Sequence, residues 1–176
     1  KLSTQAYLIA AALTRCQIPV RVSSFCSVSG CTVLRIFRDY RETGKNDAIF
    51  DYVSAGWNRD GLALRAMGWL MEREQADHRL LILLSDANPN DDQKIPRDGF
   101  LPGGRDYGGK LGVKDAAAEA GVLRKKGLSP VCIFTGSDRE LPGAREIYGR
   151  DLVRIPAIGW FADAVGKLIQ GKIQAL

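Results

Sequence analysis

Two short segments hold most of the closely spaced side-chain oxygens in this chain. One is Trp57-Asn58-Arg59-Asp60-Gly61, just ahead of a predicted helix. The other is Leu84-Ser85-Asp86-Ala87-Asn88-Pro89-Asn90-Asp91-Asp92, at the end of the strongest predicted strand. Ligands of open α/β sheets gather at the carboxyl ends of strands, so Asp86 and its neighbours are the first place to look for chemistry. Oxygen-rich loops of this kind suit a hard cation such as Mg²⁺, which takes one or two carboxylates and keeps its remaining waters. The same spacing has a plainer reading, in which Asp60 caps the helix that begins near Leu62 and Asp91 and Asp92 are solvated loop residues.

Other chemistries find less support. Gly104-Arg105-Asp106-Tyr107-Gly108-Gly109-Lys110 has the spacing of a phosphate loop, but Leu111 stands where Ser or Thr must hold the metal, and Phe100-Leu101-Pro102-Gly103 ahead of it is no apolar strand. The single histidine, His78, falls between a helix end and a strand start, the wrong edge of a sheet for acid–base work, and reads as a surface residue. Cys16, Cys26, Cys31 and Cys132 form no CxxC pair, which argues against structural zinc. Cys16 and Cys132 read as small core residues, and so few cysteines in a chain of this size fit a reducing compartment.

The elements that would position these residues follow from periodicity. Helical spacing of Tyr7, Leu8, Ala11 and Ala12 predicts a first helix over 3–14, opened by Ser3 or Thr4 as cap and stopped before Pro19. Residues 20–25 and 32–37 are β-rich runs around a turn at Ser27-Val28-Ser29-Gly30. Helical patterns over 48–54 and 62–74 are split by Gly56. Residues 79–85 form a continuous apolar strand, expected to be buried on both faces. A glycine- and proline-rich loop over 87–110 leads to a helix over 111–126 closed by Gly127, a strand over 131–134, a short helix over 141–148, a strand over 153–155 and a last helix over 160–169. Strand and helix alternate through the second half, which predicts an α/β fold: a doubly wound, mostly parallel sheet with helices on both faces.

Composition agrees. The 176 residues are 45% apolar and 26% charged, so one globular domain over 1–176 is the economical count, and no run approaches a membrane span. The net charge of +5 permits an acidic partner without pointing to nucleic acid. Glycine is in excess, 19 residues, concentrated between Asp98 and Gly112.

Taken in order, the helix, the strand pair, Asn58-Arg59-Asp60-Gly61, the second helix, the apolar strand and Ser85-Asp86-x-x-Pro89-x-Asp91-Asp92 resemble the von Willebrand factor type A (VWA) domain. More narrowly they are similar to the branch found in the CobT subunit of aerobic cobaltochelatase and in nitric oxide reductase activation proteins, as are 107–126, Leu128-Ser129-Pro130-Val131-Cys132-Ile133 and Tyr148-Gly149. The resemblance implies a three-layer fold and a metal-ion-dependent adhesion site built from Asp-x-Ser-x-Ser after a first strand, a threonine on a second loop and an aspartate on a third. Carried over by position, Asp86 is the third-loop aspartate, Asn58 falls at the threonine, and Asp60 is its alternative. The first motif is absent, and the sequence reads as starting downstream of the first strand and its loop. Too few oxygens then remain for tight Mg²⁺ binding, so weak or no binding of Mg²⁺, or of another divalent cation, is expected.

The resemblance further implies a non-catalytic, cytoplasmic interaction module that works with an AAA+ ATPase of the MoxR or cobaltochelatase type, in metal chelation for cobalamin biosynthesis or in enzyme activation. A partner carboxylate would complete the metal shell, and no nucleic acid or membrane would be involved. Arg97, Arg105, Lys110 and Lys114 place basic charge in or beside the glycine-rich loop, with Arg105 and Lys110 as candidate contacts for an acidic partner segment. The competing expectation is a Mg²⁺-dependent phosphohydrolase or nucleotide-binding α/β enzyme that uses Asp60, Asp86 and Asp91.

Overall fold

A computed structural model describes residues 1–96, 104–155 and 160–174. Two compact units divide the chain at Gly56, which has φ +71.

The first unit, Lys1–Gly56, holds α1 (Leu2–Arg15), an antiparallel hairpin of β1 (Val22–Val28) and β2 (Cys31–Arg38), and a 3₁₀ turn over Asn46–Asp51. Helix α1 begins one or two residues before the expected cap. Lys1 is the flanking residue, no side chain caps the end, and the carbonyl of Lys1 accepts from the amide of Gln5, so Ser3 and Thr4 lie inside the first turn. The strands run longer than their apolar cores because the turn is only Ser29-Gly30, with φ of 51 and 78. Two successive positive φ values match the right-handed twist of a hairpin. Val28 therefore pairs with Cys31. Cys16 is exposed at the end of α1, against the expectation of a core residue, because the apolar stripe of the helix ends before it. Arg38 is wholly buried, its guanidinium donating to Thr14 Oγ1 and Asn46 Oδ1, both at 2.6 Å.

The second unit, Trp57–Leu176, is mixed α/β. Its sheet is parallel with strand order β3-β6-β7, from β3 (Arg79–Ser85), β6 (Leu128–Phe134) and β7 (Leu152–Arg154). Helices α2 (Asp60–Glu72), α3 (Gly109–Lys125), α4 (Leu141–Tyr148) and α5 (Phe161–Gln174) accompany it. The core joins Leu64 and Met71 of α2, Leu83 of β3, Ala116, Ala120 and Leu123 of α3, Cys132 and Phe134 of β6, and Ile147 and Tyr148 of α4. Each large apolar side chain so buried contributes roughly 1.5–3 kcal/mol. Helix α2 approaches α3 through glycine: a Cβ on Gly61 would meet the Asp115 carboxylate at 2.1 Å, and one on Gly68 would meet Leu123 Cδ2 at 2.3 Å.

Strand β3 has the expected bounds but not the expected burial. Among the described residues it pairs with β6 alone, and only Leu83 and Ser85 are buried. A five-residue apolar run predicts a strand covered on both faces, whereas here it lies at the sheet edge. Strand β6 starts three residues earlier than expected because Pro130, a poor strand former, is accommodated where β6 has one neighbour only. Its pairing with β7 begins at Cys132. Helix α3 ends as expected, with Gly127 at φ +73.

The segment over 87–110 is not simply a loop. Its arms form an antiparallel hairpin, β4 (Asp91–Pro96) with β5 (Gly104–Tyr107), whose charged residues carry no strand-like alternation. This also removes the phosphate-loop reading, since Gly104–Tyr107 is a strand that runs directly into α3. Arg97 and the glycines at 99 and 103 lie outside the described residues.

Candidate functional site

The carboxyl end of β3 is where the chain's oxygen-bearing loops meet. The 57–60 loop is held to the segment after β3 by reciprocal backbone bonds: Asn58 N–H donates to the Asn90 carbonyl at 3.0 Å, and Asn90 N–H to the Asn58 carbonyl at 2.9 Å. The Asn58 amide nitrogen then donates to Asp60 Oδ1 at 2.9 Å and to the Asn88 carbonyl at 3.3 Å. Ser85 Oγ lies 3.5 Å from Asp60 Oδ2 and accepts from the Ala87 amide at 2.9 Å. Asp86 is exposed, and its carboxylate accepts the Asn88 amide at 3.2 Å. Asn58, Asp60 and Asp86 thus lie around the carboxyl end of β3.

Asp60 is not a cap. It is the first residue inside α2, with Arg59 as the flanking residue and no side-chain cap bond. Its carboxyl is wholly buried, and burial pushes its pKa up to about 6. The bonds from Asn58 and Ser85 pull the other way, while the negative charge of Asp86 adds to the rise. Among the described residues no cation offsets that rise. The thiol of Cys132 is pushed to about 12, and the Tyr148 hydroxyl well above its ordinary value, first by burial and then in part by the charge of Asp60.

Asp91 is no solvated loop residue either. Its side chain is fully covered and paired to Arg59 Nε at 2.5 Å, while Arg59 also donates to the Gln93 carbonyl at 2.9 Å and lies over the Tyr107 ring. Burial alone would raise the Asp91 pKa, but the Gln93 amide and the Arg59 guanidinium outweigh it and hold the carboxyl below its ordinary value. Tyr107 in turn donates to Asp115 Oδ2 at 2.7 Å. This chain, Asp91 to Arg59 to Tyr107 to Asp115, fixes the 57–60 loop against the hairpin and α3. Sequence spacing does not reveal it, because its members are up to 56 positions apart.

Three further details were not legible in the sequence. Ala87 has φ 52, a left-handed conformation costly for a residue with a Cβ, and its bond to Ser85 Oγ holds it there. The loop after β6 also reaches the site: the Thr135 amide donates to the Ser85 carbonyl at 2.9 Å, and a Cβ on Gly136 would stand 2.8 Å from the Asp86 carbonyl oxygen. Arg105 lies on β5 opposite Ile95, and Lys110 is exposed in the first turn of α3.

As a cation site this arrangement is short of donors. Among the described residues no three His, Cys, Asp or Glu side chains converge to hold a metal. Asp91 is engaged by Arg59, and Asp60 is turned into the core with Asn58 and Ser85 on its oxygens. Of Asp60, Asp86 and Asp91 only Asp86 presents its carboxylate to solvent, Asp92 being exposed further along the same segment, and a tightly held Mg²⁺ would need further oxygens beside them.

Fold and site together define a mixed α/β protein with a parallel three-stranded sheet and a polar, acidic loop cluster at its carboxyl end. Comparison of the chain with protein-family models and with curated proteins finds no match. No helix among the described residues is long and apolar enough to cross a membrane.

Proposed function

We propose that this chain is a non-catalytic, VWA-like protein-interaction module, three-layered in architecture, that contributes the second- and third-loop residues of an adhesion site. The observation that carries this reading is the convergence of Asn58, Asp60, Ser85 and Asp86 at the carboxyl end of β3. Two further features support it. The whole length of β3 is unpaired on one side among the described residues, where such a fold would seat another strand. The acidic pair Asp60 and Asp86 is also incomplete, so oxygens from a first loop and from an acidic partner residue would be needed to complete a Mg²⁺ shell. The partner in this reading is a cytoplasmic AAA+ ATPase of the MoxR or cobaltochelatase type, in a metal-chelation or enzyme-maturation step. Arg105 and Lys110 are the candidate contacts for its acidic segment. This assignment is by analogy of fold and site.

Interferometry against such an ATPase from the same cell tests the reading. Saturable binding that weakens at least tenfold in Asp86→Ala, together with Mg²⁺ affinity no tighter than millimolar by calorimetry, is the expected result. Micromolar Mg²⁺ affinity, or Mg²⁺-dependent hydrolysis of ATP or p-nitrophenyl phosphate by the isolated chain, would overturn it.

A further inference from the structure

Two strands across the sheet from β3, an open cleft of about 450 Å³ is flanked by α4 and β7 and lined by Leu141, Arg145, Gly149, Leu152 and Arg154. Its chemistry is symmetric between the two elements. Leu141 and Arg145, four apart, share one face of α4, and Leu152 and Arg154, two apart, share one face of β7. Each element therefore supplies one leucine and one guanidinium. Gly149 ends α4 with φ 57, which turns the chain sharply between them.

Among the described residues that line the cleft there is no carboxylate. Arg154 is paired at 2.5 Å with Asp138, whose side chain is 83% exposed, so that pair is a weak surface contact that a better-placed carboxylate can replace. The Arg145 side chain has no hydrogen bond or ion pair among the described residues, and it is exposed. A planar guanidinium is the side chain suited to bidentate recognition of a carboxylate. The volume lies in the range of sites that enclose small ligands.

We propose that this cleft docks a short acidic, leucine-bearing peptide segment of a partner protein. A Glu or Asp carboxylate of the segment meets Arg145, a second meets Arg154, and an aliphatic side chain lies on Leu141 and Leu152. Charge complementarity selects the partner, since the described lining residues carry two positive charges and no negative one. The site shares no lining residue with the Asp60–Asp86 cluster and does not depend on metal.

The test is fluorescence anisotropy of the whole chain with a fluorescein-labelled heptapeptide of alternating Leu and Glu, in EDTA. Saturable binding at micromolar concentration is expected, at least tenfold weaker for the Leu/Gln counterpart and for Arg145→Gln, and unchanged in Asp86→Ala. Asp138→Asn frees Arg154 and tightens binding several-fold. Arg145 is exposed, so circular dichroism of its variant matches the parent. The proposal is overturned by absent saturation at 1 mM peptide, by equal binding of the Gln peptide, by an unchanged affinity of Arg145→Gln, or by free glutarate competing at the same concentration as the peptide, which would mark a small-molecule site.

Discussion

Replacing Asp60 with asparagine is expected to remove a pH-dependent loss of stability built into the core beside the acidic cluster. The folded-state pKa of Asp60 is about 6, raised from an ordinary 3.8 first by burial. A carboxyl whose pKa is raised on folding binds more protons folded than unfolded, so its stabilising contribution is complete below about pH 4 and is lost as pH rises through 6. A shift of about two units at 1.36 kcal/mol each makes that loss about 3 kcal/mol by pH 8. Asparagine keeps an acceptor for the Asn58 amide and gains a donor toward Ser85 Oγ, while carrying no charge to bury. Urea unfolding of the parent and Asp60→Asn, followed by tryptophan fluorescence from pH 5 to 8 in EDTA, reads the difference. About half of that loss, roughly 1.4 kcal/mol, falls between pH 5 and 8, so with a slope of about 2 kcal/mol per molar urea the midpoint gap between the two should widen by about 0.7 M over that range. All other titrating groups are common to both proteins and largely cancel. A gap that stays constant across the range would refute the assignment of a buried, cation-free carboxyl to this position.

Two other perturbations follow from the packing. Gly112→Ala places a Cβ 2.8 Å from the Pro89 carbonyl oxygen and 3.1 Å from its ring, and backbone cannot yield as a side chain does. Thermal unfolding should show a loss of about 1–3 kcal/mol, and a parent-like melting temperature would contradict the close approach of α3 to the site loop. Arg38→Met removes a buried guanidinium whose Nε and second terminal nitrogen find no partner and leaves half-buried Thr14 and Asn46 to solvent. Because desolvating an unpaired charge is costly, urea unfolding should find the variant as stable as the parent or up to about 3 kcal/mol more so. Destabilisation beyond 1 kcal/mol would refute the reading of Arg38 as an under-compensated buried charge.

The regular elements were legible wherever local pattern and tertiary environment agree. Strand β3 has the bounds its apolar run predicts, and α4 and the Gly127 helix end lie where their signals place them. Legibility failed where long-range packing overrode local character. The charged β4–β5 hairpin has no alternation, and Tyr107 is its one buried anchor among residues 104–107. Asp60 shows the same effect on a single side chain. Its position before an apolar helix reads as a cap, but the helix starts one residue earlier and its carboxyl turns inward.

By itself the sequence determined that strands and helices alternate in the second half, that the oxygen donors cluster in the 57–60 and 85–92 segments, and that no phosphate loop is complete at Leu111. These depend on short-range periodicity and residue type, which the chain carries wherever it folds. Only the tertiary structure decided which carboxylates face solvent. Asp91 went to Arg59, Asp60 to the core, and Asp86 and Asp92 remained outside. The physical reason is that a carboxylate's fate depends on burial and on which donor reaches it, and those are set by residues such as Arg59, 32 positions away.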